Sequence, residues 1–227
     1  MQASPVSVVL VAGGKGLRMG NALPKQFLPL QGKPILCYAI QAFKEAFPNA
    51  QLILVLPEEQ LSYSNMLLQS FEEPIELTIV SGGATRFHSV QNGLKAILPH
   101  SIVFVHDGVR PFIESQLLHT CYQKALETGT AIPVIPVTDS IRQLQEQAST
   151  ALDRNQLKAV QTPQAFQSEI ILKAFEQDYT ELFTDEATVA EQAGFTLTLV
   201  EGSKQNIKIT TPEDLLWAEF ILQQAKQ

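Results

Sequence analysis

Residues 10–27, LVAGGKGLRMGNALPKQF, gather Gly13, Gly14, Gly16 and Gly20 behind an apolar run, with Arg18 among the glycines and Lys25 just past them. Residues without a Cβ let backbone N–H groups come close to phosphate oxygens. An arginine and a lysine beside them can clamp a triphosphate and neutralise charge that grows on its α-phosphate during a displacement. Two familiar loops do not fit. A dinucleotide fingerprint wants a third glycine where Met19 stands, and an acid about 20 residues on, whereas the second strand ends only at Pro57-Glu58. A P-loop wants Ser or Thr after its lysine, and neither Lys15 nor Lys25 has one. What remains is G-x-G-x-R-M-x-x-x-x-P-K, carried by Gly14, Gly16, Arg18, Met19, Pro24 and Lys25.

The elements that must hold this loop alternate along the chain. VSVVLVA (6–12) is a continuous β-rich run, the pattern of a strand buried on both faces. PILCYAIQAFKEAF (34–47) has helical periodicity, and AQLILVLP, IELTIVSGG, SIVFVHDGVRP and TAIPVIPV read as further strands with helices between them. Alternation of this kind implies crossover units and a mostly parallel sheet with helices on both faces. Residues 138–158, TDSIRQLQEQASTALDRNQLK, break the pattern. They are polar and weakly periodic, and read either as an interaction arm or as a solvated surface hairpin. FTLTLVEG and NIKIT read as late strands, and TPEDLLWAEFILQQAKQ as a closing helix with Thr211 as N-cap and Pro212 at its first position.

Asp107, at the end of a strand, sits where ligands of open α/β sheets gather. Its neighbour His106 reads as structural, as do His88, His100 and His119, while Asp185 and Glu186 read as acids at a helix N-terminus. Trp217 and the phenylalanines read as core. Cys37 and Cys121 fall in helical segments, which favours two reduced, buried thiols over a disulfide or metal site. The net charge of −7, with no basic stripe, argues against nucleic-acid binding. No apolar run approaches membrane-spanning length and MQASP is not a leader, so a cytoplasmic protein is expected.

The glycine pattern resembles that of the nucleotidyltransferases that activate sugars and polyols. GGATRFHSVQNGL (82–94), VHDGVRP (105–111), PVTDS (136–140), DRNQLKAVQTPQAF (153–166), TDEA (184–187) and EGSKQNIKIT (201–210) narrow the match. In that order they resemble the 2-C-methyl-D-erythritol 4-phosphate cytidylyltransferases of the non-mevalonate isoprenoid pathway. The resemblance implies an α/β fold: one Rossmann-like nucleotidyltransferase domain over 1–227, with 138–158 an arm that embraces a second subunit of a homodimer. It implies a CTP site at Ala12, Gly13, Gly14 and Gly16, with Arg18 and Lys25 catalytic on the phosphates. Gly83 and Ser89 would hold the cytosine and ribose side, and Asp107 would lie near both substrates and a Mg²⁺ ion. Arg110, Ser140, Arg154, Thr162, Thr184 and Lys208 would surround the polyol phosphate. Four positions depart from the pattern. Ala84 and Thr85 stand where acids are usual, Ser140 where Thr is usual, and Gly108 where Ala is usual. A ribitol 5-phosphate cytidylyltransferase is the alternative of like chemistry. A catalytically silent nucleotide-binding regulator, the alternative of another class, would be expected to lack Arg18 or Lys25.

Overall fold

The structure, a computed structural model, describes residues 4–13, 23–146 and 148–224. Gly14, Gly16 and Arg18 lie outside the described residues. Strand β1 (Val6–Val11) is buried along its whole length. Its side chains alternate between two cores: Val8 and Leu10 pack on one face of the sheet, Val9 and Val11 on the other. After the short ribbon of β2 (Pro29–Leu30) and β3 (Lys33–Pro34), helix α1 (Ile35–Ala46) covers the first face. Its residues Leu36, Cys37, Ala39, Ile40 and Phe43 form a stripe at helical spacing. Then come β4 (Gln51–Leu56), α2 (Tyr63–Gln69), β5 (Thr78–Ser81), α3 (Arg86–Leu94), β6 (Ile102–Asp107) and α4 (Ser115–Thr128). Helix α4 joins α1 on the first face through Leu117, Leu118 and Cys121, and α3 covers the second through Phe87, Val90 and Leu94.

Strands β5, β4, β1 and β6 lie side by side in that order, all parallel. The remaining strands are β7 (Thr130–Pro136), β8 (Ile141–Gln145), β9 (Ala148–Leu152), β10 (Lys158–Val160), β11 (Gln164–Gln167) and β12 (Leu199–Glu201). Strand β11 inserts antiparallel between β6 and β7, β10 runs antiparallel on β7, and β12 pairs parallel with β7. The sheet is therefore mostly parallel, as expected, with two reversed strands that the alternation does not reveal. Helices α5 (Ser168–Ala174) and α6 (Glu186–Gln192) finish the second face, and α7 (Pro212–Gln224) closes the chain. The order β5-β4-β1-β6 reverses its direction of growth between β1 and β6, and ligands of such sheets bind beyond the carboxyl ends at that reversal. Ala12 and Gly13 follow β1 there, and Asp107 ends β6.

The 138–158 excursion is a two-stranded ribbon, β8 against β9 with Ile141 opposite Leu152, outside the main sheet. Its base is stitched to the sheet where β10 pairs with β7, Lys158 opposite Pro136. The ribbon is exposed along most of its length, Leu144 to 83%. Two expectations need correcting. The segment 206–210 is not a strand; Ile207 and Ile209 alternate because they pack with Leu28, Leu30 and Ala218, while the backbone is tied down by Ile209 N–H donating to Val109 O at 2.9 Å. Trp217 and Phe220 are not core: they stack on each other across the outer face of α7 and are 54% and 46% exposed. Thr211 does cap α7, accepting from Asp214 N–H at 3.4 Å, while Asp214 Oδ2 accepts from the N–H groups of Thr210 and Thr211 at 2.8 Å. The two thiols are free and buried, and burial pushes Cys37 up to about 11 and Cys121 to about 12, so both stay protonated and inert. Among the described residues, no helix is long and apolar enough to cross a membrane.

Candidate active site

Two clefts open at the carboxyl edge of the sheet. The larger, about 530 Å³, runs from Ala12, Gly13 and Lys25 past Glu58 and Glu59 to Gly82, Gly83 and Ser89. The smaller, about 190 Å³, is lined by Arg110, Gln161, Thr162, Gln164, Thr184 and Asp185. Arg86, Asp107 and Lys208 line both. The larger volume falls in the range of small-molecule sites; the smaller suits a compact anion.

Backbone shape defines the larger cleft. A Cβ at Gly83 would fall 2.4 Å from His88 Cβ and 3.0 Å from His88 C, so no side chain fits between the loop and α3. Gly82 N–H donates to Leu56 O at 2.7 Å, and Gly83 N–H to Ser89 Oγ at 3.1 Å, whose own hydroxyl donates to Thr85 O at 2.9 Å. Ser89 thus braces the glycine pair. With both N–H groups used internally, the carbonyl oxygens are the hydrogen-bonding groups that the pair has left for a ligand. Ala84 offers no carboxylate, and Thr85 turns its hydroxyl to the start of α3, accepting from His88 N–H at 3.4 Å. On the opposite wall a short 3₁₀ turn brings Glu58 and Glu59 to the cleft. That turn is anchored by buried Gln60, which accepts from Gln26 Nε2, and the same Gln26 amide donates to Ala12 O at 2.6 Å.

The shared wall is a charge cluster. Arg86 donates to Asp107 Oδ1 from Nε at 3.3 Å and from Nη2 at 3.1 Å. Its Nη2 also meets Glu186 Oε2 at 3.0 Å, and Nη1 meets Glu186 Oε1. Asp107 Oδ2 faces Lys208 Nζ at 2.8 Å and Arg110 Nε at 3.8 Å. Burial pushes the Asp107 carboxyl up, but the Arg86 guanidinium, with Lys208 and Arg110, outweighs it and holds the group well below the usual carboxylate range. Burial likewise opposes the Arg86 charge, and Glu186 with Asp107 more than offsets it, so its pKa is raised. Lys25 Nζ donates to Ile209 O at 3.4 Å, which places it next to the Lys208 backbone.

His106 lies beneath Asp107, fully buried. Its Nε2 is 3.0 Å from Arg110 O, a pure acceptor, so that nitrogen carries the proton. Nδ1 then accepts from the Thr162 hydroxyl at 3.0 Å, and Thr162 Oγ1 accepts from Asp107 N–H at 3.1 Å. Burial lowers His106 to about 4, so it is a neutral structural group, as expected. Thr162 lines the smaller cleft, yet its hydroxyl is committed to bracing β6.

Of the expected site residues, Ala12, Gly13, Lys25, Gly83, Ser89, Asp107 and Lys208 line the larger cleft, and Asp107, Arg110, Thr162, Thr184 and Lys208 the smaller. Ser140 and Arg154 line neither. Arg154 sits at the foot of the exposed ribbon and donates to Thr138 O. The metal-ligand role expected for Asp107 would require Lys208 to move, because Arg86 takes one oxygen and Lys208 the other. Among the described residues, no three or more His, Cys, Asp or Glu converge as a metal cage. That donor set fits an ion carried in on phosphate oxygens. Motif and spacing do not single out Arg86, and they make Glu186 a helix-end acid. Asp185 does cap α6, accepting from Thr188 N–H at 2.9 Å, but Glu186 is 1% exposed and aimed at Arg86. One signal was available: an arginine in the first turn of a helix opposes the helix dipole and calls for carboxylates nearby.

A family model described as "IspD: 2-C-methyl-D-erythritol 4-phosphate cytidylyltransferase" matches residues 6–224. The protein of that name from Bacteroides thetaiotaomicron is 46% identical over 209 residues, covering 92% of this chain and 95% of its own. The crystal structure of 4-diphosphocytidyl-2C-methyl-D-erythritol synthase from Anaerococcus prevotii superposes with a TM-score of 0.82 at 25% identity, covering 98% of this chain and 100% of that one. The Thermus thermophilus cytidylyltransferase structure gives a TM-score of 0.74 at 28% identity, covering 95% and 98%.

Proposed function

The chain belongs to the 2-C-methyl-D-erythritol 4-phosphate cytidylyltransferase family, and from that premise we propose how its two clefts divide the family's reaction. The protein is a cytidylyltransferase of isoprenoid biosynthesis: CTP and 2-C-methyl-D-erythritol 4-phosphate give 4-diphosphocytidyl-2-C-methyl-D-erythritol and pyrophosphate. CTP occupies the larger cleft, its cytosine amine toward the carbonyls of Gly82 and Gly83 and its triphosphate toward Gly13 and Lys25. The polyol phosphate enters the smaller cleft among Arg110, Thr184 and Lys208. The observation that carries this reading is the shared wall: two cavities of unequal size meet at Arg86, Asp107 and Lys208, so their occupants touch there.

An oxygen of the polyol phosphate attacks the α-phosphorus of CTP. The bond from that phosphorus to the bridging oxygen breaks, and pyrophosphate leaves with the electron pair. A phosphate monoester is already largely dianionic at neutral pH, its second pKa being about 6, so no general base is needed. His106, with both nitrogens committed, is not placed to be one. The work is to position anions and offset the charge that grows between them. Lys25 does this from the described wall, and Arg18 is assigned the same task from the glycine loop. Mg²⁺, held on the triphosphate oxygens, would neutralise charge on the departing pyrophosphate.

The ribbon is assigned to a homodimer. Ser140 and Arg154 line neither of the two clefts of their own chain, yet a bidentate guanidinium suits a phosphate monoester. Carried across a twofold axis, Arg154 would complete the neighbour's smaller cleft. Subunit mixing tests this. A Lys25→Ala chain and an Arg154→Ala chain, each nearly inactive alone, should regain activity when mixed, because one site of each mixed dimer then carries neither defect. Verified mixed dimers without recovery would return Arg154 to its own subunit. The substrate itself is tested by pyrophosphate release from CTP with either polyol phosphate. Brisk release with ribitol 5-phosphate alone would replace the methylerythritol reading.

A further inference from the structure

We propose that Glu186 and Arg86 form a fixed strut that holds Asp107, so that Lys208 and Arg110 can leave Asp107 for the phosphate of the second substrate. Both are positioning residues: neither touches the reacting atoms. The inference deepens the function proposed above and rests on its reading of the smaller cleft.

Four separate parts of the chain converge here. Arg86 opens α3, Glu186 opens α6, Asp107 ends β6, and Lys208 comes from the segment before α7. The Arg86 guanidinium meets Glu186 fork to fork, Nη1 to Oε1 and Nη2 to Oε2 at 3.0 Å. The Glu186 side chain is almost wholly buried, so its carboxylate is shielded from competing partners even though Arg86 itself lines both clefts. The other edge of the guanidinium, Nε and Nη2, is spent on Asp107 Oδ1. Oδ2 is held differently. Lys208 Nζ lies 2.8 Å away on a side chain that is 41% exposed, and Arg110 Nε, 3.8 Å away, is a buried N–H with no acceptor in bonding range. Asp107 Oδ1 therefore has a fixed partner in Arg86, while Oδ2 has an exchangeable one in Lys208 and, beside it, Arg110, which is anchored through Nη1 to Asn206 O at 2.8 Å but keeps its Nε unspent; both cations line the smaller cleft.

The charges explain why this matters. Two carboxylates and three cations leave the empty cluster at +1. An incoming phosphate dianion draws Lys208 and Arg110 to itself. Asp107 would then face that dianion uncompensated, unless a cation stayed behind. Arg86 stays because Glu186 holds its far edge. Without Glu186, Arg86 is itself free to turn to the phosphate, and Lys208 is kept by Asp107 in the wrong place. A merely structural pair would only join α3 to α6 and would not care which substrate is bound.

The test is a double-mutant cycle of Glu186→Gln with Lys208→Ala, read as kcat/KM for the polyol phosphate at saturating CTP, beside calorimetric CTP binding. Glu186→Gln should keep CTP affinity within about twofold and lose about tenfold or more in kcat/KM for the polyol phosphate. Adding it to Lys208→Ala should cost far less than it does alone, since the strut acts mainly through Lys208, with Arg110 the lesser route. An unchanged kcat/KM, equal losses for both substrates, or additive losses would each overturn the proposal. If Glu186→Gln does not fold, Arg86→Lys carries the same expectations and the same refutations, because a point charge cannot bridge both carboxylates. If Lys208→Ala alone leaves the polyol phosphate unaffected, the reading of the smaller cleft is what fails, and the strut falls with it.

Discussion

Between pH 6.5 and 4.5 the protein should lose about 2 kcal/mol of unfolding free energy through one imidazole, the linkage slope rising to about 1.4 kcal/mol per pH unit within that window. His106 is fully buried, and its hydrogen bonds suit only the neutral ring: Nε2–H donates to Arg110 O, and Nδ1 accepts from Thr162. Burial lowers its pKa from 6.5 to about 4; the hydrogen bond to Arg110 O and the Asp107 charge oppose that shift, while the guanidinium groups of Arg110 and Arg86 add to it. Below pH 6.5 the unfolded chain therefore takes up a proton that the folded chain refuses until about pH 4. Stability present above 6.5 is lost as the pH falls. Glu186 works in the opposite sense, since burial raises its pKa and folding then favours its protonated form as the pH falls through that range. Asp107, held far down, adds a loss only once the pH drops below its unfolded value of 3.8. The comparison with His106→Gln isolates the imidazole. Urea unfolding by circular dichroism at half-unit steps should show a less stable variant whose stability falls less steeply than wild type over this window. Parallel curves would refute the buried neutral ring.

Two further outcomes follow from the larger cleft. Lys25→Ala should lower kcat by roughly 10²–10³, the worth of one donor at a developing charge, with the thermal midpoint unmoved; steady-state pyrophosphate release checks it, and a near-native kcat would remove Lys25 from the chemistry. Gly83→Ala should drive its new methyl into His88, 2.4 Å away, costing about 1–3 kcal/mol in stability and weakening CTP binding measured by calorimetry; a variant that binds CTP normally would mean that the loop and α3 are not locked together.

Much of this molecule is legible in its residues, and what is not has identifiable causes. β1, β4 and β6 announce themselves because a strand buried on both faces must be apolar at every position, as VSVVLV and IVFVHD nearly are. β11 does not, because a four-residue strand that depends on neighbours on both sides carries too little pattern of its own. The 206–210 segment carries a strand's alternation without strand partners, since two isoleucines facing a core satisfy the same pattern as a ladder would. Trp217 reads as core by composition, although α7 leaves it outside. Within the site, glycines, Lys25, Asp107 and Lys208 could be named from motif and spacing. Arg86 and Glu186 could not be paired, because their partnership spans a hundred residues and only the sheet brings α3 and α6 together.

The stitched base of the ribbon separates two histories within one chain. Because Lys158 faces Pro136 across β10 and β7, the excursion leaves and re-enters the sheet at the same place, like a cassette in a socket. Loop closure costs only about 0.6 kcal/mol for each doubling of length. The ribbon can therefore grow, shrink or be exchanged while β6 and β11 stay where they are. The tip of the ribbon can drift in shape and composition while the strand ends that carry Asp107 and Thr162 register none of it. Its foot, where Arg154 sits, is the part tied to the reaction proposed above, so tip and foot are free to evolve at different rates.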